Sequence, residues 1–196
     1  MKTLRLIALA LIVAGSTAMA ADWTLDKAHS SMNFTVKHLM VSTVHGQFTD
    51  FDGTASFDAK DLSTLKTSFT AQVASVNTDN EKRDGHLKSA DFFDAEKFPT
   101  LTFVSKSAKQ TAPGKATLTG DLTIRGVTKE VTFDVEGFGA EIATPWGAIA
   151  VGGTATTTIN RQDFGVSWSK SLDGGGVVAG DNVKITVELE FNRPAQ

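Results

Sequence analysis

The sequence predicts an all-β fold: amphipathic antiparallel strands, closed into a barrel and interrupted by one short helical cap. Three observations carry this. Apolar and polar residues alternate with a period of two through most of the chain, which gives each strand one dry face and one wet face. Several alternating runs are long, the last reaching roughly 36 Å at about 3.3 Å per residue, and long strands favour a tall barrel over a compact sandwich. One segment, 78–98, breaks the alternation and reads as helix and turn.

In chain order, a weaker run at 22–26 opens the series. Met32, Phe34 and Val36 then face away from Ser31, Asn33 and Thr35. Phe51, Gly53, Ala55 and Phe57 oppose Asp52, Thr54 and Ser56, and Leu65, Phe69, Ala71 and Val73 share a face against Lys66, Ser68, Thr70 and Gln72. A weaker run covers 100–107. Ala116, Leu118, Leu122 and Ile124 lead into Val131, Phe133 and Val135 through IRGVTKEV, 124–131, a tight link containing Gly126. After a run at 147–159, Val183, Ile185, Val187, Leu189 and Phe191 alternate with Asn182, Lys184, Thr186, Glu188 and Glu190. The count is eight or nine strands. Their edges must be hidden, by closing into a barrel or by stacking two sheets. The exceptional segment predicts a helix over 79–88, with Thr78 and Glu81 at capping-box spacing. A turn through Ala90-Asp91-Phe92-Phe93 and a stop at Phe98-Pro99 follow. Such an insertion is long enough to cap one barrel mouth. The stretch 167–181, with glycines at 174–176, reads as a loop at a rim.

Residues 1–20 read as a secretory signal peptide: Lys2 and Arg5, the apolar run LIALALIV at 6–13, and Ala18-Met19-Ala20 at the cleavage position. Cleavage after about Ala20 leaves 21–196 as a single domain, in which no repeat, linker or membrane-length apolar run is visible. That chain carries a formal charge of −5, which gives no support to nucleic-acid binding. The absence of cysteine excludes thiolate chemistry and Cys-based metal sites. An exported chain without disulfides fits a bacterial periplasm.

Four histidines are present, none at zinc-site spacing, so no metal is assigned. His29 and His45 read as polar tips near strand ends. His38 extends the face of Met32, Phe34 and Val36, either as a core histidine or as a ligand group. Arg83 and His86 are three apart on the predicted helix and share a face. Over a barrel mouth, that face suits an anionic or carbonyl head group. Arg161, in INRQDFG, reads as a structural corner bonded to backbone. No GxSxG elbow or phosphate loop appears, so no catalytic residue is assigned and no cofactor is implied. A hydrolase using His86 or His38 with a nearby acid stays open as an alternative, as does an interaction module with a solid core.

Six segments carry a family resemblance: LDKAHSSMNFTVKHL (25–39), GQF (46–48), RDGHLKSADFFDAEKFPTLTF (83–103), GDLTIRGVTKEV (120–131), INRQDFG (159–165) and VVAGDNVKITVELE (177–190). In this order they resemble the YceI-like family of bacterial proteins over nearly all of 21–196. The resemblance implies an extended, lipocalin-like, eight-stranded antiparallel barrel. It also implies a periplasmic binder or carrier of polyisoprenoid lipids, such as isoprenoid quinones or prenyl phosphates. The expected ligand-binding residues are Met32, Phe34, Val36, Phe69, Leu118, Leu122 and Phe133 along the lumen, with Arg83, His86 and His38 as polar candidates. Val73, Val187 and Leu189 also face inward in this reading. The same residues would serve a filled core, so the pattern does not separate cavity from core. The oligomeric state stays open, a homodimer included.

Overall fold

The computed structural model describes residues 21–173 and 175–195. The expected signal peptide and Gly174 lie outside the described residues. The strand segments are β1 (Ala21–Leu25), β2 (Ser31–His38), β3 (Ser42–Phe48), β4 (Phe51–Asp58), β5 (Asp61–Gln72), β6 (Val76–Asn77), β7 (Thr100–Ala112), β8 (Lys115–Ile124), β9 (Val127–Glu136), β10 (Ile142–Ala143), β11 (Ala148–Asn160) and β12 (Ala179–Pro194). One helix, α1 (Glu81–Lys88), precedes β7.

These segments build a closed antiparallel barrel of eight staves. Three staves are interrupted. β1 and β2 run end to end along one edge of β12, with Leu25 opposite Phe191 and Ser31 opposite Glu188. The short 3₁₀ turn Lys27–His29 separates them. β4 and β3 pair with β1 and β2, and β5 and β6 continue across the 3₁₀ turn Val73–Ser75. The ring passes through β7, β8, β9 and β11, and closes where β11 pairs with β12 from Ala148–Pro194 to Asn160–Asn182. The eight or nine strands expected from sequence are these staves. Alternation marks a stave but not the turns that break it.

The registers define two ends. The links 39–41, 78–99, 125–126 and 161–178 gather at one rim, here called the capped end. The links 59–60, 113–114 and 137–147 lie at the other, with both termini of the described chain. That second end is filled. Trp23 stacks on Phe57 at 5.2 Å between ring centroids and donates from Nε1 to the Phe57 carbonyl oxygen. Phe138 and Phe191 meet Phe57 edge-on at 5.9 and 6.2 Å. All four are buried. The outward faces carry Thr, Lys, Asp and Glu, as along β8 and β12, the reverse of the apolar belt of a membrane-spanning barrel.

Two glycines explain how large rings fit inside. A Cβ on Gly46 would lie 2.3 Å from the Phe34 ring, and one on Gly53 would lie 2.4 Å from Phe69. Each ring leans across a cross-strand glycine, which lets the lumen hold phenylalanines without being sealed by them.

The helix differs from expectation in its start. Asn80 is the N-cap, its side chain accepting from the Arg83 amide. Thr78 is buried and engages Asp84, whose Oδ1 accepts from both the Thr78 amide and hydroxyl. Thr78 fits the capping-box pattern, but Asp79 has positive φ and turns the chain before the helix begins.

Two hairpin turns contrast. Arg125-Gly126 joins β8 to β9 with φ of 51° and 74°, as a two-residue hairpin requires. Leu39-Met40 joins β2 to β3 with φ of 50° and 61°, and Val41 N–H donates to the His38 carbonyl. Bulky side chains in that region cost on the order of 1–2 kcal/mol each.

Candidate functional site

Between the filled end and the cap lies an elongated internal cavity of about 210 Å³. Its wall is almost wholly carbon. Met32, Phe34 and Val36 line it from β2, Phe69 from β5, Leu118 and Leu122 from β8, Phe133 from β9, and Val187 and Leu189 from β12. The lumen is therefore a cavity and not a solid core, the point that alternation left open. Its floor is Phe57, Phe138 and Phe191, and its roof is Leu87, Phe92 and Phe93 from the cap segment with Phe164 and Val166 from the 161–178 link. Val73, expected inward, is buried but lies outside this wall, because the chain leaves the stave into its 3₁₀ turn there.

The wall holds few polar residues, Asn33, Thr67, Thr102 and Arg161, and most are already engaged. Asn33 donates to Ser31 Oγ at 2.7 Å, and Thr67 donates to the Thr54 carbonyl at 2.7 Å. A space this large would hold several waters, yet a bound water needs two to four polar partners. The wall suits hydrocarbon.

Arg161 is the exception in chemistry. It is buried and reaches the wall at the capped end. Nε donates to the Gly180 carbonyl (2.9 Å), one terminal nitrogen to Val166 and Trp168 carbonyls (2.5 and 2.8 Å), and the other to the Ala179 carbonyl (3.0 Å) and Asp181 Oδ1 (3.3 Å). All five guanidinium donors are in use. Burial lowers its pKa, partly offset by Asp181. This is the backbone-bonding corner expected from sequence. It ties the 165–168 strap to the start of β12 and has no donor left for a ligand.

The polar candidates sit elsewhere. Arg83 turns back on its own helix start, donating from Nε to Thr78 Oγ1 and from a terminal nitrogen to the Thr78 carbonyl, both at 2.7 Å. His86 lies on the outer side of the cap. Its Nε2 is 2.8 Å from Asp91 Oδ2, and its ring packs edge-on against Phe92 (4.9 Å) and Trp168 (5.1 Å). His38 lies beyond the last lining residue of its strand, Val36, where the chain turns out of the rim. The structure brings none of the three to the cavity wall. A helix lying across a barrel mouth presents its charged face to solvent, and the adjoining apolar turn supplies the roof.

His86, Phe92 and Trp168 instead fasten the cap to the strap. Phe92 and Trp168 are 5.1 Å apart. Arg125, which the sequence reading did not single out, does the same by hydrogen bonds, donating to the Gly165 carbonyl (2.8 Å) and the Ala90 carbonyl (2.9 Å). Its Nε and the Ser169 hydroxyl are buried without partners. Nothing in the local sequence around Arg125 signals that role, because its partners lie 35 and 40 residues away.

A family model described as the YceI-like domain matches residues 23–191. The chain belongs to the YceI-like family. Among curated relatives, UPF0312 protein SAS2572 of Staphylococcus aureus is 44% identical over 171 residues, spanning 87% of this chain and 97% of the relative. Among solved structures, the YCEI protein of Campylobacter jejuni is 36% identical with a TM-score of 0.70, covering 87% of this chain and 96% of its own. A domain from Saccharophagus degradans, described as polyisoprenoid-binding and implicated in plant cell wall breakdown, shares the fold at 17% identity. Its TM-score is 0.62, with 89% of this chain and 99% of that one covered.

Outside the barrel of this YceI-like chain, Asp26 caps the 27–29 turn and lies 3.1 Å from His29 Nδ1, with Glu190 alongside. The hydrogen bond from His29 holds Asp26 below its ordinary value, and the same bond raises His29 above its own. The pair's contribution from His29 is complete below 6.5 and fades as pH rises through the elevated His29 pKa. Its contribution from Asp26 is complete above 3.8 and fades as pH falls through the depressed Asp26 pKa. An NMR titration is expected to place the His29 midpoint above 6.5, and Asp26→Asn to return it towards the ordinary value. An unchanged midpoint in that variant would remove the pair as its cause.

Proposed function

We propose that the chain is a periplasmic carrier that holds the hydrocarbon of a polyisoprenoid lipid in the barrel lumen, and that it acts by binding and not by catalysis. The observation that carries this is the carbon-lined cavity, closed at one end by four aromatic rings and roofed at the other by a fastened cap. Taking apolar surface out of water yields roughly 25 cal/mol per Å², and a lumen lined by apolar side chains from floor to roof collects that energy along a chain of isoprene units. The polyisoprenoid-binding description of the Saccharophagus domain supports the same ligand class. The signal-like character of residues 1–20 supports the compartment. A prenyl lipid would enter tail first and leave its head group at the capped end, where Arg125 Nε and Ser169 Oγ lack partners.

Thermal unfolding with added prenyl alcohols, quinones or prenyl phosphates of graded length tests this. At a ligand concentration about 100 times Kd, binding stabilises by about 2.7 kcal/mol. For a domain of this size that is a rise in Tm of roughly 5–10 °C. The shift should grow with chain length and then level off as the tube fills. No shift from any prenyl lipid would contradict the proposal.

A further inference from the structure

We propose that the β2–β3 hairpin tip is a membrane-docking element, which sets the capped end of the barrel on a lipid bilayer. The inference rests on the carrier reading and adds where the lipid is exchanged. At the tip, Leu39, Met40 and Val41 are 38, 58 and 83% exposed. The turn that displays them is fixed: Leu39 N–H donates to the Val178 carbonyl, and Val41 N–H to the His38 carbonyl. Leu39 and Met40 both occupy the left-handed region, where glycine or asparagine is the usual choice. Met40 Cγ lies beside Gly176, yet Met40 and Val41 remain mostly exposed, and apolar side chains held exposed in a strained turn point to a contact outside the chain.

Three features select a bilayer as that contact. The tip stands on the end where the cavity wall runs to Val36 and Ala179, directly below it in register with His38. The opposite end also exposes Ile142 and Trp146, but those lie behind the aromatic floor, beside Glu141. Next, the tip is flanked by exposed Lys37 and Lys170, the latter's carbonyl bonded to Val178 N–H. On a chain of net negative charge, these two cations complement anionic head groups, with Asp163 and Asp173 the acids of the adjoining 161–178 link. Finally, three side chains on a convex turn present far less than the roughly 800 Å² per partner of a standard protein interface, yet suffice for shallow insertion at an interface.

The chain has no cysteine, so Val41→Cys and Ile142→Cys can each carry a single environment-sensitive dye. Vesicles of phosphatidylethanolamine and phosphatidylglycerol, free of prenyl lipid, are expected to brighten the dye at 41 at least twofold and leave the dye at 142 unchanged. Met40→Asp should weaken vesicle binding tenfold or more while uptake of detergent-dispersed prenyl lipid is retained. That retention shows that the variant is folded and separates docking from carriage. A silent dye at 41, a response at 142 instead, or a response at 41 that follows protein concentration without vesicles would overturn the proposal. The last would identify a second copy as the occupant. Docking without any prenyl uptake would sink the carrier reading and leave the docking element standing.

Discussion

Replacing Arg161 with leucine is expected to lower unfolding free energy by roughly 3–5 kcal/mol, the range for removing one partner of a buried, hydrogen-bonded charge. The reason is what stays behind. Four backbone carbonyls, of Val166, Trp168, Ala179 and Gly180, lose their donor at once, and each buried acceptor left unpaired costs about 1–3 kcal/mol unless the chain relaxes to reach water. Asp181 is half-exposed and adds little. Arg161→Lys keeps the charge but offers three donors in place of a planar fork of five, so it should recover only part of the loss. Urea denaturation of the variants measures this, with a Tm lower by roughly 6–20 °C for leucine. A loss under about 1 kcal/mol would show that the strap does not depend on this side chain. Because Arg161 fixes the strap that roofs the cavity, prenyl uptake should fall in the same variant even at temperatures where it stays folded.

The second large effect is expected from filling the lumen. Ala155 lies on β11 between Val135 and Val187 and lines the cavity. Ala155→Trp should place an indole where a lipid chain would lie and weaken uptake at least a hundredfold, about 2.7 kcal/mol of binding energy. Stability should hold or rise, because the new ring occupies existing space. Overpacking costs about 1–3 kcal/mol only where no space is available. If the tryptophan variant unfolds early, Ala155→Phe makes the same test with a smaller ring. Full uptake by a stably folded variant would put the lipid somewhere other than the lumen.

Much of the fold was legible in the sequence. Period-two alternation located the staves, and IRGVTKEV with Gly126 located one tight hairpin. The INRQDFG segment announced a corner, which the five bonds of Arg161 bear out. What alternation did not carry is the difference between filled and hollow. Phe69 and Leu122 would face inward in either case, and only the lean of Phe69 over Gly53 and of Phe34 over Gly46 shows how the rings clear the lumen. The cap was legible as a cap, but its polar residues were not legible in direction. Arg83 and His86 do share a helix face, yet Thr78 and Asp91 take their nitrogens, and local spacing says nothing of which way a short helix rolls over a rim. The Asp26–His29–Glu190 group and the Arg125 clasp escaped for a related reason: each joins residues far apart in the chain, and pairing register brings them together.

The central claim is that the lumen holds a prenyl chain. The most direct test is native mass spectrometry of the chain purified from a cell that makes it, followed by organic extraction of the same sample. The expected result is a species heavier than the polypeptide by one lipid, released on denaturation and identified as a polyisoprenoid, and absent from Ala155→Trp. A bare polypeptide mass, with no uptake of added quinone or prenyl phosphate, would contradict the account.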